Sequence, residues 1–461
     1  MSGIRSRLQI YGTRRHSVEE AVRKTGSGAN TSASDSGTGV TDSAGGFADH
    51  SEPSDQLNDL NLSEKRAHPD ILNSAGRFDF CEERPGVYIH RQSFSDFTAG
   101  VKNLRAYFPL QLSGILELAL WPDPEAIHPE DVLFLDTETT GLSRGTGTVP
   151  FLTGLAYFQS RKLVLELIFL KNPGLEEDYL DYLLSVFQNF SYLVSYNGKT
   201  FDIPLIRNRL IMNRKTGLPG WIHFDLLHIF RRLFPSRSLP GYKQKDLEAE
   251  LLQARREDDL PGEEIPQIYF DYVKYGHDNG MERVFQHNLL DLQGMVLLFL
   301  EAIRLYDGRE GSRHALRSGL ARVLLRNKRV EEALHILEEL NQHNVEPQDL
   351  PEQLRYSDLL LLASLYRQQK RYDQSARMLE LVVARYDCPY ARLSLARLME
   401  HRLKQLEYAL LHTNALIQGC EEPDGAATVE TDIRYRSAGR MLTLEELEHR
   451  KARLQRKIQK P

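Results

Sequence analysis

Two acidic residues that stand two positions apart could together hold a metal ion. Asp136 and Glu138 follow the apolar run 132–135, which predicts a strand buried on both faces. Because residues i and i+2 of a strand point to the same face, the two carboxylates would lie side by side. Such a pair repels itself unless a cation lies between the charges, and oxygen ligands suit Mg²⁺ or Mn²⁺. A surface pair that caps a turn is the alternative interpretation.

A third acid, Asp202, closes the segment 196–202, which reads Tyr-Asn-Gly-Lys-Thr-Phe-Asp. The segment follows a predicted strand at 192–196 and precedes a helix with Pro204 in its first turn. An Asp at a helix start also serves as an N-cap, and in isolation the two interpretations are equally good. The acid pair upstream favours metal binding by Asp202.

His287 and Asp291 lie four residues apart in a predicted helix at 284–306. Positions i and i+4 share one helical face, so the imidazole and the carboxylate would be presented together. Asp291 could bind metal while His287 takes a proton from an attacking water, because an unperturbed histidine titrates near neutral pH. An ordinary His–Asp helix pair is the alternative.

The elements that must position these residues follow from hydrophobic periodicity. Strands alternate with helices from residue 131 to residue 306, which predicts a three-layer α/β domain. We predict strands at 86–90, 132–135, 151–158, 163–170 and 192–196, helices at 175–190, 204–213 and 284–306, and a strand that becomes a helix within 223–233.

Outside this α/β region the chain changes character twice. Residues 25–57 are dominated by small and polar types, so we predict a disordered leader at 1–75, before a folded α/β domain at 76–306. After Gly308 the pattern is entirely helical, and segments 320–333, 362–375 and 395–409 resemble one another. Their spacing predicts tetratricopeptide-like (TPR-like) repeats at 308–440, followed by a charged helix or tail at 441–461.

Several motifs together resemble those of the YprB-type RNase H-like group within the DEDD 3′–5′ exonuclease superfamily. The resemblance covers about residues 76–306 and implies an RNase H-like three-layer domain with a central mixed sheet; a helical-repeat region after it also fits the group. The motifs that carry the resemblance are residues 134–142, 145–148, 196–202, 258–262 and 265–266.

The resemblance also implies roles for the acids and the histidine. Asp136, Glu138, Asp202 and Asp291 would hold two divalent ions, Mg²⁺ or Mn²⁺, which activate water and stabilise the leaving oxygen. His287 would be the base, although it stands four residues before the final Asp, the offset at which another branch of the superfamily carries a Tyr. The substrate contacts that we expect from these motifs and their surroundings are Thr137, Thr140, Leu142, Asn197, Lys199, Phe201 and Arg207.

Weaker signals concern the nucleic acid. Residues 207–245 contain nine Lys or Arg and a single acid, Asp225, which fits either a phosphate-tracking surface or a solvated face. Asp225 would be a support for the metal ligands or an ordinary loop acid. Tyrosines at 242, 269, 272 and 275 could stack bases but are more often core residues.

Composition narrows the class of protein. The 461-residue chain has a net charge of −6, so it is not a basic coat for nucleic acid. Its three cysteines form no CxxC pair, which argues against a disulfide framework or a zinc knuckle. We find no signal peptide and no apolar run of membrane-spanning length, so a cytoplasmic protein is expected.

We therefore predict a metal-dependent nuclease that acts on single-stranded DNA or RNA ends, joined to a TPR-like region for a protein partner. A catalytically idle nucleic-acid-binding module and a scaffold protein are the two alternatives.

Overall fold

The computed structural model describes residues 78–107, 110–123, 125–141, 147–235, 238–256, 259–276, 280–308, 314–342, 352–421 and 442–459. The predicted leader at 1–75 lies outside this range. Within it, no helix is both long enough and apolar enough to cross a membrane.

The described strands form one large sheet and one small hairpin. They are β1 (Cys81–Arg84), β2 (Val87–Phe94), β3 (Thr98–Ala99), β4 (Lys102–Asn103), β5 (Val132–Thr139), β6 (Pro150–Gln159), β7 (Lys162–Leu170), β8 (Tyr192–Ser195) and β9 (Ile222–Asp225). The large sheet has the order β1-β2-β7-β6-β5-β8-β9, and β3 pairs with β4. Strands β5, β8 and β9 are parallel and the other neighbours are antiparallel, so the predicted mixed sheet is confirmed.

Helices cover both faces of the sheet, which gives three layers. In this region they are α1 (Gly114–Ala119), α2 (Glu176–Phe187), α3 (Asp202–Met212), α4 (Leu226–Leu233), α5 (Gln244–Leu247), α6 (Ile265–Tyr275) and α7 (Met281–Asp307). Helices α2 and α3 bury one face of the sheet in one apolar core, and α1, α4, α6 and α7 bury the other face in a second core. The predicted three-layer α/β class is therefore confirmed.

The alternation of β5 shows why the acids point towards α7. Val132 and Phe134 belong to the core under α7, whereas Leu133 and Leu135 belong to the opposite core. The ring of Phe134 meets Phe299 of α7 edge to face, with centroids 5.3 Å apart. Burying one such ring contributes about 1.5–3 kcal/mol, which fixes the register of the strand. Asp136 and Glu138 continue the even-numbered series towards α7.

Helix α7 approaches β6 closely at a glycine. Gly154 pairs with Asp136 across the two strands, and a β-carbon at this position would overlap the amide of Asn288. The missing side chain lets α7 lie against the sheet, because no other residue leaves enough room. The polar face of α7 is thereby brought to the end of β5.

The rest of the described chain is helical, as predicted. Its helices are α8 (His314–Arg326), α9 (Val330–Gln342), α10 (Glu352–Gln368), α11 (Tyr372–Tyr386), α12 (Pro389–Leu398), α13 (Leu406–Glu421) and α14 (Leu444–Ile458), with a π-helical turn at Met399–Leu403 between α12 and α13. The turns that connect α8 to α9, α10 to α11 and α12 to α13 each contain a left-handed lysine, namely Lys328, Lys370 and Lys404. The three segments that resemble one another in sequence thus share a turn geometry.

This helical region packs directly on the α/β region. Gly319 of α8 lies against the backbone of Leu233 at the end of α4, and a β-carbon at residue 319 would overlap that carbonyl group. Beside it, Arg329 Nη1 donates to Glu117 Oε2 of α1 at 2.6 Å, and Asn327 donates to the Glu117 carbonyl at 3.0 Å. The glycine and these two polar contacts define the joint.

The last helix, α14, is held by one buried carboxylate. Glu400, from the π-helical turn, forms ion pairs with Lys457 at 2.7 Å, Arg450 at 2.8 Å and Arg453 at 2.9 Å. Burial alone would raise the pKa of Glu400, but the bonds from Lys457 and Arg453 leave it lowered. This acid is therefore held in its charged form by α14.

Candidate metal centre

The end of β5 carries two acids that repel each other and their neighbours. Asn288 of α7 donates through Nδ2 to Asp136 Oδ2 at 2.7 Å. Burial, followed by the charges of Asp291, Glu138 and Asp202, raises the pKa of Asp136 well above its usual range. Burial and Asp291 do the same to Glu138. Both carboxylates therefore need a nearby cation in order to stay ionised together at neutral pH.

Asp202 reaches the same place from the start of α3. Its Oδ1 accepts a hydrogen bond of 2.5 Å from Thr137 Oγ1, so β5 itself holds this carboxylate. Burial raises the pKa of Asp202 to about 6, although the Thr137 bond acts in the other direction. A β-carbon at Gly198 would crowd Asp202 and overlap Ser195, so the preceding loop requires glycine there.

Asp225 stabilises the loop that leads to Asp202 through hydrogen bonds to its backbone. Its carboxylate accepts from the backbone N–H groups of Asn197 at 2.9 Å and Lys199 at 3.1 Å. The same side chain caps α4 by accepting from the N–H of Leu227 at 3.2 Å. Asn197 itself is left-handed, with φ of 61°. Of the two predicted roles for Asp225, the geometry therefore favours support of the loop that carries an acid.

The polar face of α7 presents His287 and Asp291 together. His287 Nε2 lies 3.3 Å from Asp291 Oδ2, as the i,i+4 spacing predicts. The other ring nitrogen, Nδ1, lies 2.6 Å from Asp259 Oδ1. Since an ionised carboxylate only accepts, Nδ1 carries the proton in this contact. The second nitrogen of a neutral ring is then an acceptor that faces Asp291.

A largely buried arginine completes this side of the site. Arg256 Nη1 lies 2.6 Å from Asp291 Oδ1 and 3.5 Å from Asp259 Oδ2. Its remaining nitrogens bind Glu248 at 2.7 and 2.8 Å, which fixes the guanidinium plane. Glu248 lies in the π-helical turn Glu248–Leu252, for which Gly294 of α7 leaves room. The arginine is thus held rigidly beside Asp291.

The donor set fits a divalent cation. Ligand atoms of Glu138, His287 and Asp291 all lie within 4.8 Å of one another. The charges of Asp291 and Asp202 are both among the causes that raise the pKa of Asp136 and of Glu138, so the four predicted acids are near neighbours. Carboxylate oxygens suit Mg²⁺ and Mn²⁺, and an imidazole nitrogen suits transition ions.

The residues predicted to contact substrate divide into two groups. Lys199, Phe201 and Arg207 have exposed side chains at the mouth of the Asp202 loop and along α3. Thr137 instead holds Asp202, and Asn197 is bound through its backbone to Asp225. Leu142 lies outside the described residues.

For Thr140 the expectation of a substrate contact needs correction. The residue is 3% exposed, and its Oγ1 accepts from the backbone N–H of Val149 at 2.9 Å. It therefore closes the β5–β6 pair and does not face solvent.

The basic stretch at 207–245 is not one continuous phosphate surface. Arg209 forms a two-pronged ion pair with Glu176, and Lys215 binds Glu177 at 2.9 Å and Asp181 at 2.8 Å. Arg232 donates to the carbonyl of Leu118. Exposed positions in the stretch include Arg207 and Arg214. Sequence reasoning overestimated this surface because the partner acids lie more than thirty residues upstream.

Tyr269 and Tyr272 are fully buried, so they are core residues, the more common of the two expected roles. Tyr275 is 58% exposed.

Four residues of the site were not singled out from the sequence. Asn288 sits inside the His287–Asp291 motif but shows its role only once α7 is placed against β5. Arg256 and Glu248 lie in a segment of irregular periodicity that includes a π-helical turn. Asp259 belongs to the block 258–262, which carried the resemblance without any assigned role.

Comparison with known proteins agrees with this geometry. The RNase H superfamily profile matches residues 133–302, which span β5 to α7 and include all four acids. The fold and this match define an RNase H-like protein. The chain is 31% identical over 291 residues to the uncharacterized protein YprB of Bacillus subtilis (strain 168), an alignment that covers 61% of this chain and 68% of that protein. The chain therefore belongs to the YprB family of RNase H-like proteins.

Proposed function

We propose that the protein is a metal-dependent nuclease of the DEDD type that removes nucleotides from the 3′ ends of single-stranded DNA or RNA. The observation that carries this proposal is that Asp136, Glu138, Asp202 and Asp291 lie near enough to one another, at the end of β5, for their charges to interact. Mutually repelling acids that are partly or fully buried destabilise a fold, so their presence points to a ligand that neutralises them. The RNase H-like fold supports the same class of reaction.

In this proposal the chain's own residues hold and orient the charged groups. Asp136 and Glu138 would hold the cations from β5, while Thr137 fixes Asp202 and Arg256 fixes Asp291. Two divalent cations, Mg²⁺ or Mn²⁺, would supply the positive charge that activates water and stabilises the leaving 3′-oxygen. The resemblance assigns the proton of the attacking water to His287, whose Nε2 is unprotonated in the neutral ring described above.

The proposed substrate contacts lie next to the acids. Phe201 is 46% exposed directly before Asp202, and an aromatic ring at that place suits stacking on a terminal base. Arg207 and Arg214 are exposed along and just beyond α3, and their charges suit phosphates further along a single strand. The direction of cleavage and the preference for ends come from the family resemblance.

The helical region would serve a protein partner in this proposal. Three helix pairs with a common turn geometry fit TPR-like repeats, which bind partners along an extended face. A catalytically idle binding module is the second candidate. The ion pair between Arg256 and Asp291 favours it, because one of the four acids is already neutralised without a metal.

The decisive experiment uses the full chain with single-stranded DNA and RNA labelled at either end, in Mn²⁺, in Mg²⁺ and in EDTA. We expect cation-dependent shortening from the 3′ end that Asp136→Asn abolishes. Glu380→Gln, a change of an exposed acid on α11, is the matched control and should cut normally. Binding of oligonucleotides without any cleavage in Mn²⁺ would establish the idle binding module instead.

A further inference from the structure

We infer that His287 is itself a ligand of the cation, through Nε2, and that Asp259 holds the ring for this purpose. The inference rests on the proposed function, since it assumes that the acids bind a divalent ion. It replaces the role of proton acceptor that the family resemblance implies, because a nitrogen lone pair engaged with a cation cannot take a proton from water.

The first support is the protonation pattern of the ring. Asp259 Oδ1 accepts a hydrogen bond of 2.6 Å from Nδ1–H, which leaves Nε2 as the ring nitrogen with an available lone pair. Histidines that bind metals almost always donate their other N–H to a carboxylate or carbonyl in this way. Nε2 faces Asp291 Oδ2 at 3.3 Å, so two electron-rich atoms confront each other there.

Arg256 supplies positive charge to both carboxylates that flank the ring. The guanidinium lies 2.6 Å from Asp291 and 3.5 Å from Asp259, so both acids already have a permanent cation. Glu248 holds Arg256 with two bonds, and Gln244 in turn donates to Glu248 at 2.9 Å. The positive charge is therefore fixed before any ion arrives.

The spacing of the donor atoms supplies the second support. At metal–ligand bonds of about 2.1 Å, neighbouring octahedral ligands lie about 3 Å apart and opposite ones about 4 Å apart. The separation of 3.3 Å between His287 and Asp291, and the common limit of 4.8 Å that includes Glu138, suit ligands that share one ion. Their i,i+4 spacing on α7 keeps both donors on one face.

A mixed ligand set changes the metal that the site prefers. Imidazole suits transition ions better than Mg²⁺, which takes oxygen ligands and dehydrates reluctantly. The geometry therefore assigns Mn²⁺ as the preferred ion of the two. Asp259 is a positioning residue, because it acts only through the orientation of His287.

The test is pulsed electron paramagnetic resonance of the full-length protein loaded with Mn²⁺, which detects nitrogen bound directly to the ion. We expect ¹⁴N modulation that changes when the protein is produced with ¹⁵N-histidine, a comparison that needs no variant. The signal should vanish in His287→Ala and persist in His335→Ala, which alters an exposed histidine of α9. Asp259→Asn should weaken Mn²⁺ binding about 10–100-fold, and Mg²⁺ binding much less.

The outcomes separate the two proposals. Bound Mn²⁺ without nitrogen modulation overturns the assignment of His287 and leaves the nuclease proposal intact. A spectrum identical to that of free Mn²⁺ at millimolar concentration overturns the proposed metal centre, and the assignment falls with it. Modulation that survives in a folded His287→Ala protein also overturns the assignment.

Discussion

Carboxylates that are partly or fully buried occur in both the α/β region and the helical region, and the charges around them differ in sign. At the end of β5, Asp136 and Glu138 lie among other acids, so burial and repulsion raise the pKa of each. In the helical region, Glu400 lies among Arg450, Arg453 and Lys457, and its pKa is lowered. A fold gains stability from the second arrangement and loses it in the first. The comparison therefore separates an acid kept for structure from acids kept for a ligand.

The largest effect should come from removing the structural acid. Glu400→Gln leaves Arg450, a residue 5% exposed, without its counter-charge. Because breaking one side of a buried ion pair is strongly destabilising, we expect the free energy of unfolding to fall by about 3–5 kcal/mol. Urea unfolding followed by circular dichroism measures this. Glu407→Gln, at an exposed position of α13, should leave the urea midpoint unchanged. Equal midpoints for the two variants would mean that Glu400 does not stabilise the fold.

The second effect concerns pH in the presence of EDTA. The folded pKa of Asp202 is raised from 3.8 to about 6, so the native state binds a proton there before the unfolded chain does. Stability from this group is therefore lost as pH rises through 6 and regained on acidification. Between pH 7 and pH 5 we expect wild-type protein to gain roughly 1–2 kcal/mol relative to Asp202→Asn.

The pH dependence that Glu400 gives to stability should have the opposite sign, because its pKa is lowered in the folded protein. The stability that Glu400 contributes is present at neutral pH and is lost only as pH falls below the usual glutamate range of about 4. Parallel pH curves for wild type and Asp202→Asn, measured by urea midpoints, would mean that Asp202 is not perturbed in the metal-free protein.

A third effect is a gain of stability from losing a proposed catalytic acid. Asp136→Asn removes one charge from the repelling group and keeps a similar shape, so the metal-free protein should become about 1 kcal/mol more stable. Thermal unfolding in EDTA tests this. Added Mn²⁺ should raise the melting temperature of wild-type protein and barely that of the variant. If Asp136→Asn is less stable than wild type and Mn²⁺ still raises its melting temperature, Asp136 stabilises the fold, as Glu400 does, and does not bind the ion.

The smallest effect contrasts paired and exposed cations near α3. Lys215 is engaged with Glu177 and Asp181, whereas Arg207 is exposed. Arg207→Glu should lower the slope of log affinity against log salt for a single-stranded oligonucleotide by about one unit, since one phosphate contact is lost. Lys215→Gln should leave the slope unchanged in the same fluorescence titration. The reverse pattern would mean that the internal pairs open on binding.

Sequence reasoning predicted the parts of the fold that local pattern controls. The apolar run before Asp136 and the long amphipathic helix around His287 each have a single compatible structure, so β5 and α7 were predicted closely. The acids followed from i,i+2 and i,i+4 geometry. Whether they bind metal, and which substrate they meet, stays a prediction.

What the sequence could not supply depends on contacts between distant segments. The bond from Asn288 to Asp136 spans 152 positions and exists only because Gly154 lets α7 approach β6. Arg256 meets Asp291 from an irregular segment with no readable period. Lys215 looked available for phosphate because its acidic partners stand more than thirty residues away. Local sequence patterns predict which face of a helix or strand is apolar and where turns fall. They do not predict which of these faces pack against each other.

The lack of a side chain at residue 319 links the helical region to the candidate site. Any larger residue there would displace the end of α4, and the start of that helix shares the carboxylate of Asp225 with the loop before Asp202. A side chain at residue 319, far from the acids in sequence, would therefore be expected to disturb the loop that carries one of them. A helical region of other sequence could replace this one without that effect only if it also had a glycine at the joint.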